Sequence, residues 1–113
     1  MGYDQAHREA RRWLRKRCQF CRATGPLQAV LKPDAPRANL RWDENRRCWY
    51  STDVGDYLAL CRGCRDCMRR RIRTAPARFA RVCRNAPRCL ECDGPLLAGQ
   101  RGRHLGCASV AAV

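Results

Sequence analysis

Cysteine recurs in this chain at a spacing of three. Cys18 pairs with Cys21, Cys61 with Cys64 and Cys89 with Cys92, and Cys67 stands three beyond Cys64. No other feature narrows the possible folds so far. A Cys-x-x-Cys pair sets two thiols on one tight turn, half of what a tetrahedral metal ion requires. Ten cysteines in 113 residues permit either disulfides or metal sites. Residues 1–17 carry no apolar signal region, so the expectation is a cytoplasmic, reducing setting that disfavours disulfides. A disulfide scaffold remains the alternative.

The pairs group into two closed ligand sets. Cys18, Cys21, Cys61 and Cys64 form one. Cys89, Cys92, His104 and Cys107 form the other, because His104 lies three residues before Cys107. Two zinc ions are therefore expected. Gly63 is read as letting the second knuckle curl around its ion. Cys48, Cys67 and Cys83 are left over and read as small buried hydrophobes. The run Cys61-x-x-Cys64-x-x-Cys67 also fits an iron–sulfur reading, although no fourth cysteine follows at short spacing.

Length and charge explain why something covalent or metallic must help. The chain suits one domain or two very small ones, and its charge is +14. So small and polar a chain gains little from apolar burial alone. No apolar run approaches a membrane span. The charge is concentrated in residues 62–88, which hold ten arginines and a single acid, Asp66. Such a surface calls for an anionic partner, most often nucleic acid. A solvated charge run is the plainer reading, and codon usage in a GC-rich genome is the plainer account of the bias toward arginine.

Periodicity predicts a helix over residues 4–17, with Asp4 as N-cap and Ala6, Ala10, Trp13 and Leu14 on its apolar side. His7 is read as exposed. Residues 27–31 read as a strand. Residues 39–42 and 47–51 read as two strands about a turn through Asp43-Glu44-Asn45, with Trp42, Trp49 and Tyr50 in the core. Residues 53–56 read as a loop. A helix follows from about Cys64 to Thr74, and Pro76 opens another over 77–84, with Phe79, Val82 and Cys83 inward. A hairpin about Gly99-Gln100 and a fraying tail at 108–113 complete the chain. The fold class is thus small α+β. It comprises a basic helix (1–17), a zinc treble clef of knuckle, hairpin and helix (18–75), and a basic helix with a C-terminal zinc ribbon or knuckle (76–113).

A family resemblance rests on three stretches: Cys18-x-x-Cys21, then Thr24-Gly25-Pro26-Leu27-Gln28-Ala29, then Tyr57-Leu58-Ala59-Leu60-Cys61-Arg62-Gly63-Cys64. Over residues 18–72 the chain resembles the zinc-bearing HNH endonucleases, a family carried by many small phage-type proteins. In that family a strand after the first knuckle ends in a histidine pair that supplies the general base and helps bind the catalytic metal. Here Val30 and Leu31 stand at that place. A histidine usually follows the second knuckle, and here it is Arg65. The resemblance implies the zinc scaffold in a bacterial host cell, without the nuclease chemistry.

The expected function is non-catalytic, zinc-dependent nucleic-acid binding, with DNA ahead of RNA, by a phage or mobile-element regulator of transcription or host functions. The expected contacts are Arg62, Arg65, Arg69, Arg70, Arg71, Arg73, Arg78 and Arg81. A protein-binding adaptor, acting for instance on RNA polymerase, is the alternative. A nuclease with a relocated site is a second; its only available carboxylates are Asp53, Asp56 and Asp66.

Overall fold

The structure is a computed structural model and describes residues 2–97 and 100–107. Helix α1 (Tyr3–Arg12) comes first, followed by strand β1 (Gln28–Leu31). Strands β2 (Leu40–Asp43), β3 (Cys48–Ser51) and β4 (Tyr57–Leu60) lead into α2 (Arg62–Thr74) and α3 (Pro76–Asn85). Single 3-10 turns cover Arg37–Asn39 and Val54–Asp56. The architecture is α+β, with two antiparallel two-stranded sheets, β1–β4 and β2–β3.

The β2–β3 hairpin is pinned by Asp43, whose Oδ1 accepts the N–H groups of Asn45 and Arg46 at 2.8 and 2.9 Å. Asp53 caps the next 3-10 turn by accepting the Gly55 N–H at 2.8 Å. Asp56 is buried and accepts from Ser51 Oγ at 2.5 Å and Asn39 Nδ2 at 3.0 Å. The Tyr57 hydroxyl exchanges two hydrogen bonds with the Ser51 backbone. These contacts join the hairpin to β4. β4 then pairs with β1 in the register Gln28↔Leu60 to Leu31↔Tyr57.

β4 is buried along its whole length, and Leu58 and Leu60 anchor the core with Cys18, Met68, Phe79, Cys83 and Leu97. This one cluster draws on both sides of the α2–α3 junction. The break at Ala75 follows from Pro76, which forces the preceding residue out of helical geometry (φ −148°, ψ 71°).

Several expectations need correction. α1 ends at Arg12 rather than residue 17, and Gly2 rather than Asp4 is its N-cap. Within α1 Glu9 offsets Arg12, whereas residues 13–17 would add three cations and no acid, setting Arg11 against Arg15 and Arg12 against Lys16 at i,i+4. Trp13 becomes the C-cap and is 72% exposed. Trp42 and Trp49 also lie outside the core; they face each other across the hairpin with centroids 5.1 Å apart. Tyr50 is the aromatic that goes in. Val82 is exposed on α3, while Phe79 and Cys83 are buried. His7 is half-buried, stacked on Tyr3 at 4.2 Å and edge-on to Tyr57 at 5.3 Å. Cys67 is exposed and Cys48 half-buried, so only Cys83 of the three is a fully buried small residue. The hairpin expected about Gly99 and the tail at 108–113 fall outside the described residues. Arg88 and Pro95 do form a bridge before them.

Candidate metal centres

Two knuckles share one backbone design. At the first, the Cys18 N–H donates to Ala23 O and the Arg22 N–H to Cys18 O, both at 2.9 Å. At the other, the Cys89 N–H donates to Gly94 O and the Asp93 N–H to Cys89 O, again at 2.9 Å. In each, the residue after the second cysteine is left-handed, Arg22 at φ 71° and Asp93 at φ 57°. The geometry points both thiols of a pair to one side. The third pair is built differently. Cys61 is the N-cap of α2 and Cys64 lies in its first turn. Gly63 sits in ordinary helical backbone with open space around its Cα, so the turn does not depend on glycine.

The fold brings the pairs together as two four-ligand clusters. In each of the sets Cys18, Cys21, Cys61, Cys64 and Cys89, Cys92, His104, Cys107, all ligand atoms lie within 4.8 Å of one another. A tetrahedral site with Zn–S bonds of about 2.3 Å sets sulfurs roughly 3.8 Å apart. The Cys21 and Cys61 sulfurs are 3.6 Å apart. His104 Nδ1 is 3.2 Å from Cys92 Sγ and 3.8 Å from Cys107 Sγ. Both clusters can hold a metal ion, and their sulfur-rich donor sets fit zinc.

His104 is fully buried, and its other nitrogen, Nε2, lies 2.8 Å from the carbonyl of Pro95. A carbonyl only accepts, so Nε2 carries the proton and Nδ1 turns a lone pair to the thiols. The sulfurs are also supplied with donors. The Gly94 N–H reaches Cys92, the His104 N–H reaches Cys89, and the Gln19 amide reaches Cys107 at 3.2 Å. Such donors stabilise thiolate.

Electrostatics within each cluster follow from the crowding. A hydrogen bond from Cys107 pulls Cys92 down to about 3, while sharing that proton raises Cys107. Cys61 is lowered to about 7, first by the Cys64 N–H at the start of α2. Burial raises Cys64. Each cluster thus sets a lowered thiol beside a raised one, an arrangement that an entering cation would draw toward thiolate.

Gln19 joins the two centres. Its backbone N–H donates to Ala59 O at 2.9 Å, and its side-chain oxygen accepts the Ala59 N–H at 2.6 Å. Its amide nitrogen then reaches Cys107 of the second site. Gly106 lies so close that a Cβ there would meet the Cys18 carbonyl oxygen at 2.2 Å. Sequence spacing offered no sign of Gln19 beyond its place between two cysteines. Lys32 was equally unforeseen; it is buried and donates to the Cys92 carbonyl at 2.8 Å.

Cys67 stands outside the first cluster, so the three-cysteine run does not assemble as an iron–sulfur set. No cysteine is in a disulfide. The arginines sort by engagement. Arg65 is bound to Gln28 and Asp66, and the Arg71 guanidinium lies 5.1 Å over the Phe79 ring. Arg62, Arg69, Arg70 and Arg73 project from α2, and Arg78 and Arg81 from α3, all exposed.

Set against known protein families, curated proteins and solved structures, the chain matches none. Among the described residues no helix is long and apolar enough to cross a membrane.

Proposed function

We propose that the chain is a zinc-built, non-catalytic module that binds nucleic acid through the outer ridge of α2. The observation that carries this reading is the sorting of the arginines. Arg62, Arg69, Arg70 and Arg73 fall along one exposed side of a helix whose first turn is bound into a candidate zinc site. Arg62 meets only Asp66, at 4.0 Å and largely in solvent, a contact worth little. Two zinc ions would fix this ridge relative to the core, and Arg78 and Arg81 would extend it along α3. The order of knuckle, strands, knuckle and helix supports a treble clef over residues 18–75, and with it kinship to the HNH scaffold.

Nuclease chemistry has little to work with here. Val30, Leu31 and Arg65 stand in the groove beside β1 where the HNH histidines would fall; His7 and Asp4 line the same groove, with Asp4 held by Arg46 at 2.7 Å and His7 stacked on Tyr3. Asp53 and Asp56 already hold the 3-10 turn and the hairpin.

Phosphate contacts release counterions, so the log of affinity falls with log salt by about 0.9 per contact on duplex DNA. Four ridge arginines predict a slope near −3.6, most of it lost when all four become alanine. Fluorescence anisotropy on a labelled duplex across a salt series tests this. A folded quadruple variant with an unchanged slope overturns the ridge as the contact surface. Nicking of plasmid in magnesium or manganese would overturn the non-catalytic reading.

A further inference from the structure

β1 is paired on one side only, with β4. The Lys32 N–H donates to the Asp56 carbonyl at 2.8 Å, which sets the phase of the pair. Residues 28, 30 and 32 turn their backbone groups to β4, and residues 29 and 31 turn theirs outward. The far side of β4 confirms this phase, because Ala59 points both of its groups outward and Gln19 takes both. Gln19 thus covers the outer edge of β4 at Ala59, and the Tyr57 N–H turns back to Val54 O. β1 is open. Among the described residues nothing meets the N–H or C=O of Ala29 or Leu31.

This open edge borders a groove of about 1180 Å³ lined by residues 27–33 and flanked by α1 and α2. Consecutive residues line it, so the strand presents its edge as well as its faces. The groove is cationic. Arg8 and Arg11 of α1 and Arg69 of α2 border it, and none has an acidic partner among the described residues. The acid beside them, Asp4, is held by Arg46 at 2.7 Å. Unprotected edges of this kind invite another strand, and proteins normally blunt them.

We propose that β1 takes up an extended acidic peptide of a partner protein as the third strand of its sheet. Alternating donors and acceptors at strand spacing are answered in full only by another polypeptide backbone. A phosphate chain accepts but cannot donate to the Ala29 and Leu31 carbonyls. Glutamate or aspartate on the incoming strand would meet Arg8, Arg11 and Arg69. This proposal stands apart from the ridge of α2, with Arg69 the one residue at the shoulder of both surfaces.

The probe is a fluorescein-labelled eight-residue peptide of alternating glutamate and valine, titrated with the metal-loaded full chain. N-methylating alternate backbone nitrogens of the peptide should weaken binding roughly tenfold or more, since strand addition depends on main-chain hydrogen bonds. Leu31→Pro should do the same, because it removes an outward N–H that β4 does not use, and edge strands tolerate proline there. Metal content and circular dichroism should be unchanged in that variant. Should Leu31→Pro fail to fold, the methylated peptide still decides, and Arg8→Ala/Arg11→Ala should weaken binding and flatten its salt dependence. No binding of the parent peptide, or equal binding of the methylated one, overturns the proposal. So does an oligonucleotide that fills the groove and is indifferent to Leu31→Pro. The ridge variant's salt slope on duplex DNA is a separate readout, so the two readings can fail independently.

Discussion

His104 carries more of the second centre than its single ligand atom suggests. Its Nε2–H is taken by Pro95, so the ring cannot turn without leaving a buried donor unpaired. His104→Cys should retain a bound ion, and His104→Ala should lose it, as a cobalt-substituted absorption spectrum would show. Gln19 can be tested in the same way. Gln19→Ala strips a donor from Cys107 and a partner from the Ala59 N–H, costing about 1–3 kcal/mol by chemical denaturation. Metal affinity at the second site should fall on the order of 10–100-fold. His7 predicts a pH effect. Burial first, then Arg11 and Arg46, hold its pKa below the usual 6.5. The folded chain then binds fewer protons than the unfolded one, so stability is full above pH 6.5 and declines as pH falls through the lowered value. His7→Phe should flatten that decline between pH 7 and 5, relative to the parent measured with the same metal content.

Among elements, the knuckles were legible and the helix end was not. Cys-x-x-Cys spacing alone implies two thiols facing one point, and the fold brings all eight expected ligands into two clusters. The stretch past Arg12 carries three cations and no acid to offset them, a feature that apolar periodicity does not register. Trp42 and Trp49 misled for a related reason. Their bulk suggested a core, yet cross-strand pairing let each cover the other in solvent. β4's pairing with β1 was hidden because the two strands lie far apart in sequence, and Gln19's role depended on that pairing. α2 offers the sharpest test of ligand against bystander. Cys64→Ser should unfold the central unit, since structural zinc contributes on the order of 10 kcal/mol to small folds. Cys67→Ser, three residues on and exposed, should be nearly silent. Equal damage in far-ultraviolet circular dichroism would mean the ligands are wrongly assigned.

For the whole molecule, the consequence is that neither centre is independent. Cys18 and Cys107 are both fully buried, and Gln19 and Gly106 are packed between them. Gly106→Ala would drive a Cβ into the Cys18 carbonyl, which is backbone rather than the end of a flexible side chain, so the chain itself must shift. Overpacking of this kind costs about 1–3 kcal/mol or more, and it should loosen ions at both sites together. Competition against a chromophoric chelator would show one shared change in affinity. A loss confined to the second site would contradict the coupling.

The same contact has a bearing on how a ribosome delivers this protein. Gln19 and Cys107 are 88 positions apart. The four ligands of the first centre are all available once residue 64 has emerged, so an ion can enter early. Its covering strap, Gly106 and Cys107, is translated long afterwards, and until then the Cys18 carbonyl and the Gln19 amide are exposed. An ion taken up by the nascent chain would then spend an interval with Cys18 uncovered, although Cys21 stays exposed even in the complete fold. Chelator added to stalled nascent chains should strip that ion rapidly before residue 107 is exposed and slowly after.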